Sequence, residues 1–342
     1  MPSVRQQQAD RPRKPASSGI ASGISLRRRR NRPKKAATRR DASPTSARIL
    51  SRLVPVCSPA PHLRPAHDLT SIKTLPNVLT PDLTGLQQPD LALLTDKQQQ
   101  LRQSRFCEAK GGARLAEATR ATLVFAQREA GTAVCVSRHG LLLTCSHCVA
   151  EGPEEMSAVR GKWLLFASGQ AVYAECVAWD PRRDLALLQI IEAQPQPQAL
   201  PNRGNTVTAS HPSVPFVPIA EVPPRLRTGL TCIGHPGNED LEASKPGRKT
   251  GYDVLHISTG LFRGDNPGQD PQDNSEIGAL RHDSWTYWGH SGAPLVEQAT
   301  GRLIGLHSSW DETTGMRRGV PLDAIKQFLD EYTGLHPSSQ SS

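Results

Sequence analysis

Three short stretches of the chain hold side chains suited to nucleophilic and acid–base chemistry. Leu141–Ala150 (LLLTCSHCVA) sets His147 just past an apolar strand. Trp179–Ile190 (WDPRRDLALLQI) sets Asp184 at the mouth of another. Trp288–Val296 (WGHSGAPLV) sets Ser291 in a Gly-bounded turn before a third. A serine hydroxyl is a poor nucleophile until an imidazole accepts its proton, and the imidazole needs a carboxylate to fix its tautomer and stabilise its cation. The oxyanion formed by attack on a carbonyl must be held by two converging N–H groups, which a tight turn around the nucleophile provides; Gly289 and Ser291 are the natural donors.

Other readings of the same residues are weaker. Asp180, four residues before Asp184, is placed to cap the turn at Pro181. Cys145 and Cys148 flank His147 with spacing that invites zinc, but a structural zinc site wants a fourth ligand and none is near in sequence. A strand ending at Cys145 also turns successive side chains to opposite sides. No metal or cofactor is expected. The seven cysteines, at 57, 107, 135, 145, 148, 176 and 232, are odd in number and irregular in spacing, and read as reduced, buried thiols.

The elements that would position these residues are short strands. Ala121–Gln127, Thr132–Ser137, Leu141–Cys145, Lys162–Ala167, Ala171–Ala178, Leu185–Ile191, Leu230–Ile233, Val254–Thr259, Ala293–Val296 and Leu303–Ser308 are apolar runs separated by Gly, Pro and polar turn residues. That pattern predicts an all-β barrel or sandwich assembly. Pro321–Tyr332 closes it with Leu322, Ile325, Phe328 and Leu329 at helical spacing, and helices are also predicted over 91–105, a marginal one, and 113–120.

In order along the chain, these motifs resemble those of the trypsin-like serine protease family, in the flavour of its Deg/HtrA branch. The likeness is carried by Gly131-Thr132-Ala133 with Leu142–Val149, by Asp180–Leu188, by Cys232-Ile233-Gly234-His235-Pro236-Gly237, by Gly289–Val296 with Leu303-Ile304-Gly305-Leu306, and by Gly319-Val320-Pro321-Leu322. The resemblance implies a chymotrypsin-like double β-barrel with a C-terminal helix. It implies a serine endopeptidase in which His147 is the base and acid, Asp184 its orienting partner and Ser291 the nucleophile, over an oxyanion hole of Gly289 and Ser291. It implies that Ser308-Ser309-Trp310 pairs with a polypeptide substrate by strand addition. Counted six residues before the nucleophile, Trp285 falls at the base of the specificity pocket, where it would exclude long basic side chains. Two positions depart from the family pattern: His290 stands where Asp or Asn is usual, and Ala293 replaces the second Gly. A protease-fold protein that binds peptides without cutting them is the alternative these departures leave open.

Composition divides the chain. The 342 residues carry a formal charge of +9, but residues 1–56 hold 15 Lys and Arg against Asp10 and Asp41, while residues 57–342 hold 26 bases and 30 acids. All aromatic residues lie at Phe106 or beyond, so the first hundred positions lack the means for a core. Residues 1–56 therefore read as a disordered basic arm and 57–107 as a Pro-rich linker with a marginal helix. The protease-like domain spans 108–336, and 337–342 form a tail. No PDZ module is expected, because about ten residues follow the closing helix. The arm, across residues 5–52, suits nucleic-acid phosphates or an import receptor, and makes a nucleic-acid-associated function the third reading. No apolar run is long enough to span a membrane and no secretory signal is visible. The expected location is intracellular, with the nucleus suggested by the arm and organelle targeting left open.

Overall fold

The computed structural model describes residues 72–104, 112–126, 131–158, 161–196, 214–240, 244–245 and 247–335. The basic arm, most of the Pro-rich stretch, Cys57, Cys107 and the C-terminal tail lie outside the described residues. In chain order the elements are β1 Lys73–Thr74, α1 Pro81–Thr84, α2 Gln88–Gln103, α3 Gly112–Arg120, β2 Thr122–Phe125, β3 Thr132–Cys135, β4 Leu141–Thr144, α4 Pro153–Ala158, β5 Lys162–Phe166, β6 Ala171–Asp180 and β7 Leu185–Ala193. Then follow β8 Gly229–Gly234, β9 His256–Asp265, β10 Leu280–His282, β11 Pro294–Glu297, β12 Leu303–Trp310, β13 Arg317–Pro321 and α5 Leu322–Leu335.

The strands make two closed antiparallel barrels of six. The first runs β2-β3-β4-β7-β6-β5 and closes through β2 and β5; the second runs β8-β9-β10-β13-β12-β11 and closes through β11 and β8. Closure removes the open strand edges. It also explains the near-continuous burial of short strands such as TLVF, TAVC and LLLT, which turn one face into the barrel and the other onto packed chain. Leu123, Phe125, Leu142, Leu164, Phe166 and Leu188 share one core, and Leu230, Leu280, Leu295 and Ile304 another. This is the chymotrypsin-like double β-barrel with a C-terminal helix that the motifs imply.

The linker expectation is corrected over residues 72–104, which dock on the first barrel. β1 adds in parallel to β7, with Lys73 opposite Glu192. α2 begins at Gln88, three residues before the predicted start, because Pro89 suits a first turn. Its buried face is polar as well as apolar, and this is why an apolar count made it marginal. Lys97, 1% exposed, donates to Phe125 O at 2.9 Å, and burial, only partly offset by Asp96, pushes its pKa down to about 8. Gln194 is the hub of the contact. Its Oε1 accepts from Gln98 Nε2 (2.7 Å) and Ala171 N–H (3.2 Å), and its Nε2 donates to Pro76 O and Asn77 O (both 3.0 Å). Gln194→Leu orphans several buried groups at once, so it is expected to lower unfolding stability by about 3 kcal/mol. The variant should also expose 72–104 to limited proteolysis; an unchanged denaturant midpoint would show that the docking contributes little.

Three strands differ from the sequence reading. β10 and β13 went unseen because Leu280-Arg281-His282 and Arg317-Arg318-Gly319 carry long polar side chains in place of an apolar alternation. β9 runs on past Thr259, its predicted end, through Gly260 and Gly264 to Asp265. Gly260 is required there for contact: a Cβ would lie 2.4 Å from Ser284 N.

Candidate active site

After β4 the chain tightens into a 3-10 turn, Ser146–Cys148, which carries His147 to the barrel rim. Trp179 Nε1–H on β6 donates to Ser146 O (3.1 Å) and pins that turn. On the facing connection, Asp180 Oδ1 accepts the N–H groups of Arg182 (3.0 Å) and Arg183 (3.1 Å). The Arg183 guanidinium bonds Asp180 (2.7 Å) and forks onto Glu331 of α5 (2.6 and 2.8 Å). Asp180 is thus committed to the turn, as its position before Pro181 suggests. The turn delivers Asp184 with φ of 53°, a left-handed conformation that Asp tolerates better than most residues.

Asp184 is buried and receives donors on both oxygens. Oδ1 accepts from His147 Nδ1 (2.8 Å), Ser146 Oγ (3.0 Å) and the His147 N–H (3.4 Å), and Oδ2 accepts from Ser308 Oγ (2.7 Å). Burial acts to raise its pKa, but the bonds from His147, Ser308 and Ser146 outweigh burial and hold the carboxyl below its usual range. For His147, burial opposes protonation, yet the Cys148 sulfur and the Asp184 carboxylate outweigh it and raise the imidazole above its ordinary 6.5. The outer edge of the ring stays open, the side chain being 46% exposed.

Ser291 follows a tight turn. His290 N–H bonds Tyr287 O at 3.0 Å and Gly289 has φ of 97°. A positive φ at the third residue is the mark of a type II turn and decides which way the Trp288–Gly289 peptide faces. Among the described residues, the N–H groups of Gly289 and Ser291 have no protein acceptor, whereas those of His290 and Gly292 bond Tyr287 O and His307 O. Thr132 of β3 buttresses this loop: its N–H donates to Ser291 O (2.9 Å) and its hydroxyl to Gly289 O (3.1 Å). Gly292 is needed at φ of 81°, for a Cβ there would meet Thr132 O at 2.0 Å. His290, fully buried, keeps its Nδ1 within 3.1 Å of both the N and O of Tyr287. Burial, with His256 and Arg317 nearby, pushes its pKa down to about 3, so it braces the turn as a neutral ring. Gly234 makes room for it, since a Cβ would lie 2.4 Å from His290 Cδ2. Ala293 has no left-handed φ, so its Cβ brings no strain.

The structure brings His147, Asp184, Gly289, Ser291, Ser308, Ser309 and Trp310 together around one cleft of about 270 Å³. It does not bring Trp285 there. That ring packs against Tyr252, His256 and His290 (centroids 5.2, 4.5 and 5.5 Å), behind the cleft wall. The aromatic rings at the cleft are instead Tyr287, Trp288 and Trp310, the last two edge to face at 4.5 Å. An ungapped count misses this because side-chain direction through the Tyr287–His290 turn does not follow from residue number. Sequence reasoning also missed Thr132, the hydroxyls of Ser146 and Ser308, and His307. The available signal was a polar residue inside an otherwise apolar strand, as in TAVC and LIGLHSSW.

The five described cysteines are free thiols. Cys145, fully buried, donates to His307 O (3.5 Å), and burial followed by the nearby Asp184 charge raises its pKa well above 9. With His147 and Asp184 it offers three donor atoms within 4.8 Å of one another. Two of these donors are already committed to each other in the 2.8 Å bond, which a metal would have to break.

Two six-stranded barrels with His, Asp and Ser converging on a cleft define a protein of the chymotrypsin-fold peptidase class. Residues 131–306 match the trypsin-like peptidase domain, and the chain belongs to that family. Among solved structures, a serine endoprotease from Yersinia pestis is similar at 20% identity with a TM-score of 0.45, over 64% of this chain and 65% of that one. Among curated proteins, none matches. No helix among the described residues is long and apolar enough to cross a membrane.

Proposed function

We propose that the protein is a serine endopeptidase acting through an acyl-enzyme on Ser291. The observation that carries this reading is the 2.8 Å bond between His147 Nδ1 and an Asp184 carboxylate whose oxygens are all engaged by donors, which leaves Nε2 as the ring's base. Ser291 Oγ donates to Ser308 O (3.1 Å), so a rotation about χ1 brings it to His147 as substrate enters; such bonds tighten only in the substrate complex. Ser291 Oγ then attacks the peptide carbonyl while His147 Nε2 takes its proton. The N–H groups of Gly289 and Ser291 hold the oxyanion and Asp184 stabilises the imidazolium. His147 returns the proton to the leaving amine. Water, deprotonated by the same ring, then cleaves the ester. The edge of β12 at Ser308–Trp310, beyond the β11 pairing that ends at Leu306, binds the substrate backbone as an added strand.

A fluorophosphonate probe tests this reading: labelling of the full chain but not of Ser291→Ala is expected, and no labelling of folded protein would favour a peptide-binding role. The Ser291–Ser308 bond is the observation that keeps the latter reading in play. The pH dependence is a second check. The base works only when neutral, so kcat/KM should be lost as pH falls through a His147 pKa raised above 6.5.

For residues 5–52 the proposal extends to contact with nucleic acid or an import receptor, and to delivery of the peptidase to the nucleus. Deleting residues 1–56 should abolish salt-sensitive DNA binding and leave probe labelling intact; binding that survives the deletion would refute this division of labour.

A further inference from the structure

One cleft-lining residue that the triad does not use is a histidine backed by a second, buried one. His307 of β12 lines the cleft beside Ser291, and its backbone is tied to the nucleophile loop on both sides: its N–H bonds Ala293 O and its O accepts Gly292 N–H, both at 2.8 Å. Its Nδ1 lies 3.1 Å from His282 Nε2 of β10, with the rings at 89°. Because Nδ1 is taken by His282, the nitrogen His307 turns to the cleft is Nε2. His282 is fully buried, and its Nδ1 has no partner.

These constraints decide which groups carry protons. If His282 held its proton on Nδ1, a buried N–H would be left without an acceptor, which is rarer in proteins than an unfilled acceptor. With Nδ1 bare, His282 Nε2–H donates to His307 Nδ1, and His307 presents Nε2–H to the cleft. The pair therefore offers a donor at the bottom of the pocket.

Its surroundings are electropositive. Arg317, opposite His282 in the β10–β13 register, reaches Thr286 O with one Nη (3.4 Å) while its Nε is buried without a partner. Burial is the first cause pushing the pKa values of both rings down; for His282 Arg317 comes next, with Asp283 acting the other way, and for His307 the neighbouring His282 and His290 come before Arg317. The hydroxyls of Ser284 and Thr286, both in buried residues, also lack partners. On the acidic side, Asp184 has its oxygens filled by His147, Ser146 and Ser308. Glu276 and Glu312 line the cleft but are themselves exposed, where water and salt screen them.

From this arrangement we infer that the cleft is an acidic-residue pocket: it takes the side chain of a substrate Glu or Asp on the acyl side of the scissile bond, with His307 Nε2–H as donor to its carboxylate and His282 as the positioning residue. The inference rests on the peptidase reading and adds the substrate class to it. A site built to bond a polar group strongly rejects analogues that lack it, because its own buried group is left unpaired.

The test uses the full chain and four fluorogenic peptides that differ only at the residue before the cleaved bond: Glu, Gln, Leu and Lys. For the wild type, kcat/KM is expected to be at least about 100-fold higher for Glu than for Leu or Lys, with Gln between. In His307→Asn the Glu advantage should fall below about tenfold, with most of the change in KM. Fluorophosphonate labelling of Ser291 serves as the control for fold and nucleophile. If His307→Asn does not fold, the wild-type series decides alone. Labelled wild type that prefers Leu or Lys overturns the pocket assignment and leaves the peptidase standing. A folded His307→Asn that keeps the full Glu preference overturns the role of His307. Absence of labelling in folded wild type overturns the peptidase reading and this inference with it.

Discussion

Ser291→Ala is expected to leave both barrels intact and to lower kcat by about 10⁶-fold. The size of the loss follows from how such sites work: nucleophile, base and carboxylate act as a unit, and removing the nucleophile leaves only the catalysis supplied by the oxyanion donors and binding. The stability effect should be small. Ser291 Oγ makes one hydrogen bond, to Ser308 O, worth about 1 kcal/mol net. The backbone that shapes the loop stays bonded through Thr132 N–H to Ser291 O and Gly292 N–H to His307 O. Active-site titration, melting temperature and peptide turnover on one preparation separate the two effects. If Ser291→Ala turns over at the wild-type rate, another nucleophile must be at work. Cys148 Sγ lies 3.4 Å from Ser291 O, so a Cys148→Ala combination would follow.

How far the site could be read from sequence depended on whether each part is local. His147, Asp184 and Ser291 each end a strand or begin one within a stretch of about ten residues, so strand pattern and turn chemistry together locate them. Asp180 and Asp184 separate for the same reason: an Asp before Pro caps its own turn, and the one at the strand mouth is free. What holds Asp184 was not local. Ser146 is 38 residues away and is brought to the carboxylate by the β4–β7 pairing, while Ser308 is 124 away and reaches it only where the two barrels meet. Thr132 and His307 belong to the same class, being single polar residues whose partners lie on other strands. Trp285 failed because side-chain direction in a tight turn does not follow from a count. The docked segment 72–104 escaped because its contact is largely polar: Lys97, Gln98 and Gln194 satisfy buried backbone groups, and a search for apolar periodicity cannot see that.

Asp184→Asn is expected to keep the fold and cost about 10³-fold in kcat at neutral pH, somewhat less than the ~10⁴ typical where the wrong imidazole tautomer is imposed. The difference comes from the donors around the side chain. Three converge on the Oδ1 position, from His147 Nδ1, His147 N–H and Ser146 Oγ, and one on Oδ2, from Ser308 Oγ. A carboxamide with its NH₂ toward Oδ1 would face three donors. With its oxygen there it keeps all three bonds, and its NH₂ meets the Ser308 hydroxyl, which can turn from donor to acceptor. His147 therefore retains its Nδ1–H tautomer and its aim, and what is lost is the negative charge that stabilises the imidazolium. Two readouts follow from that single loss. Turnover falls about 10³-fold, and the acid limb of kcat/KM moves down, because Asp184 is one of the groups that raise the His147 pKa. A loss below about tenfold would mean that Asp184 orients the ring without stabilising its charge. A larger loss with an unmoved limb would mean that the carboxamide had settled the other way round and imposed the wrong tautomer.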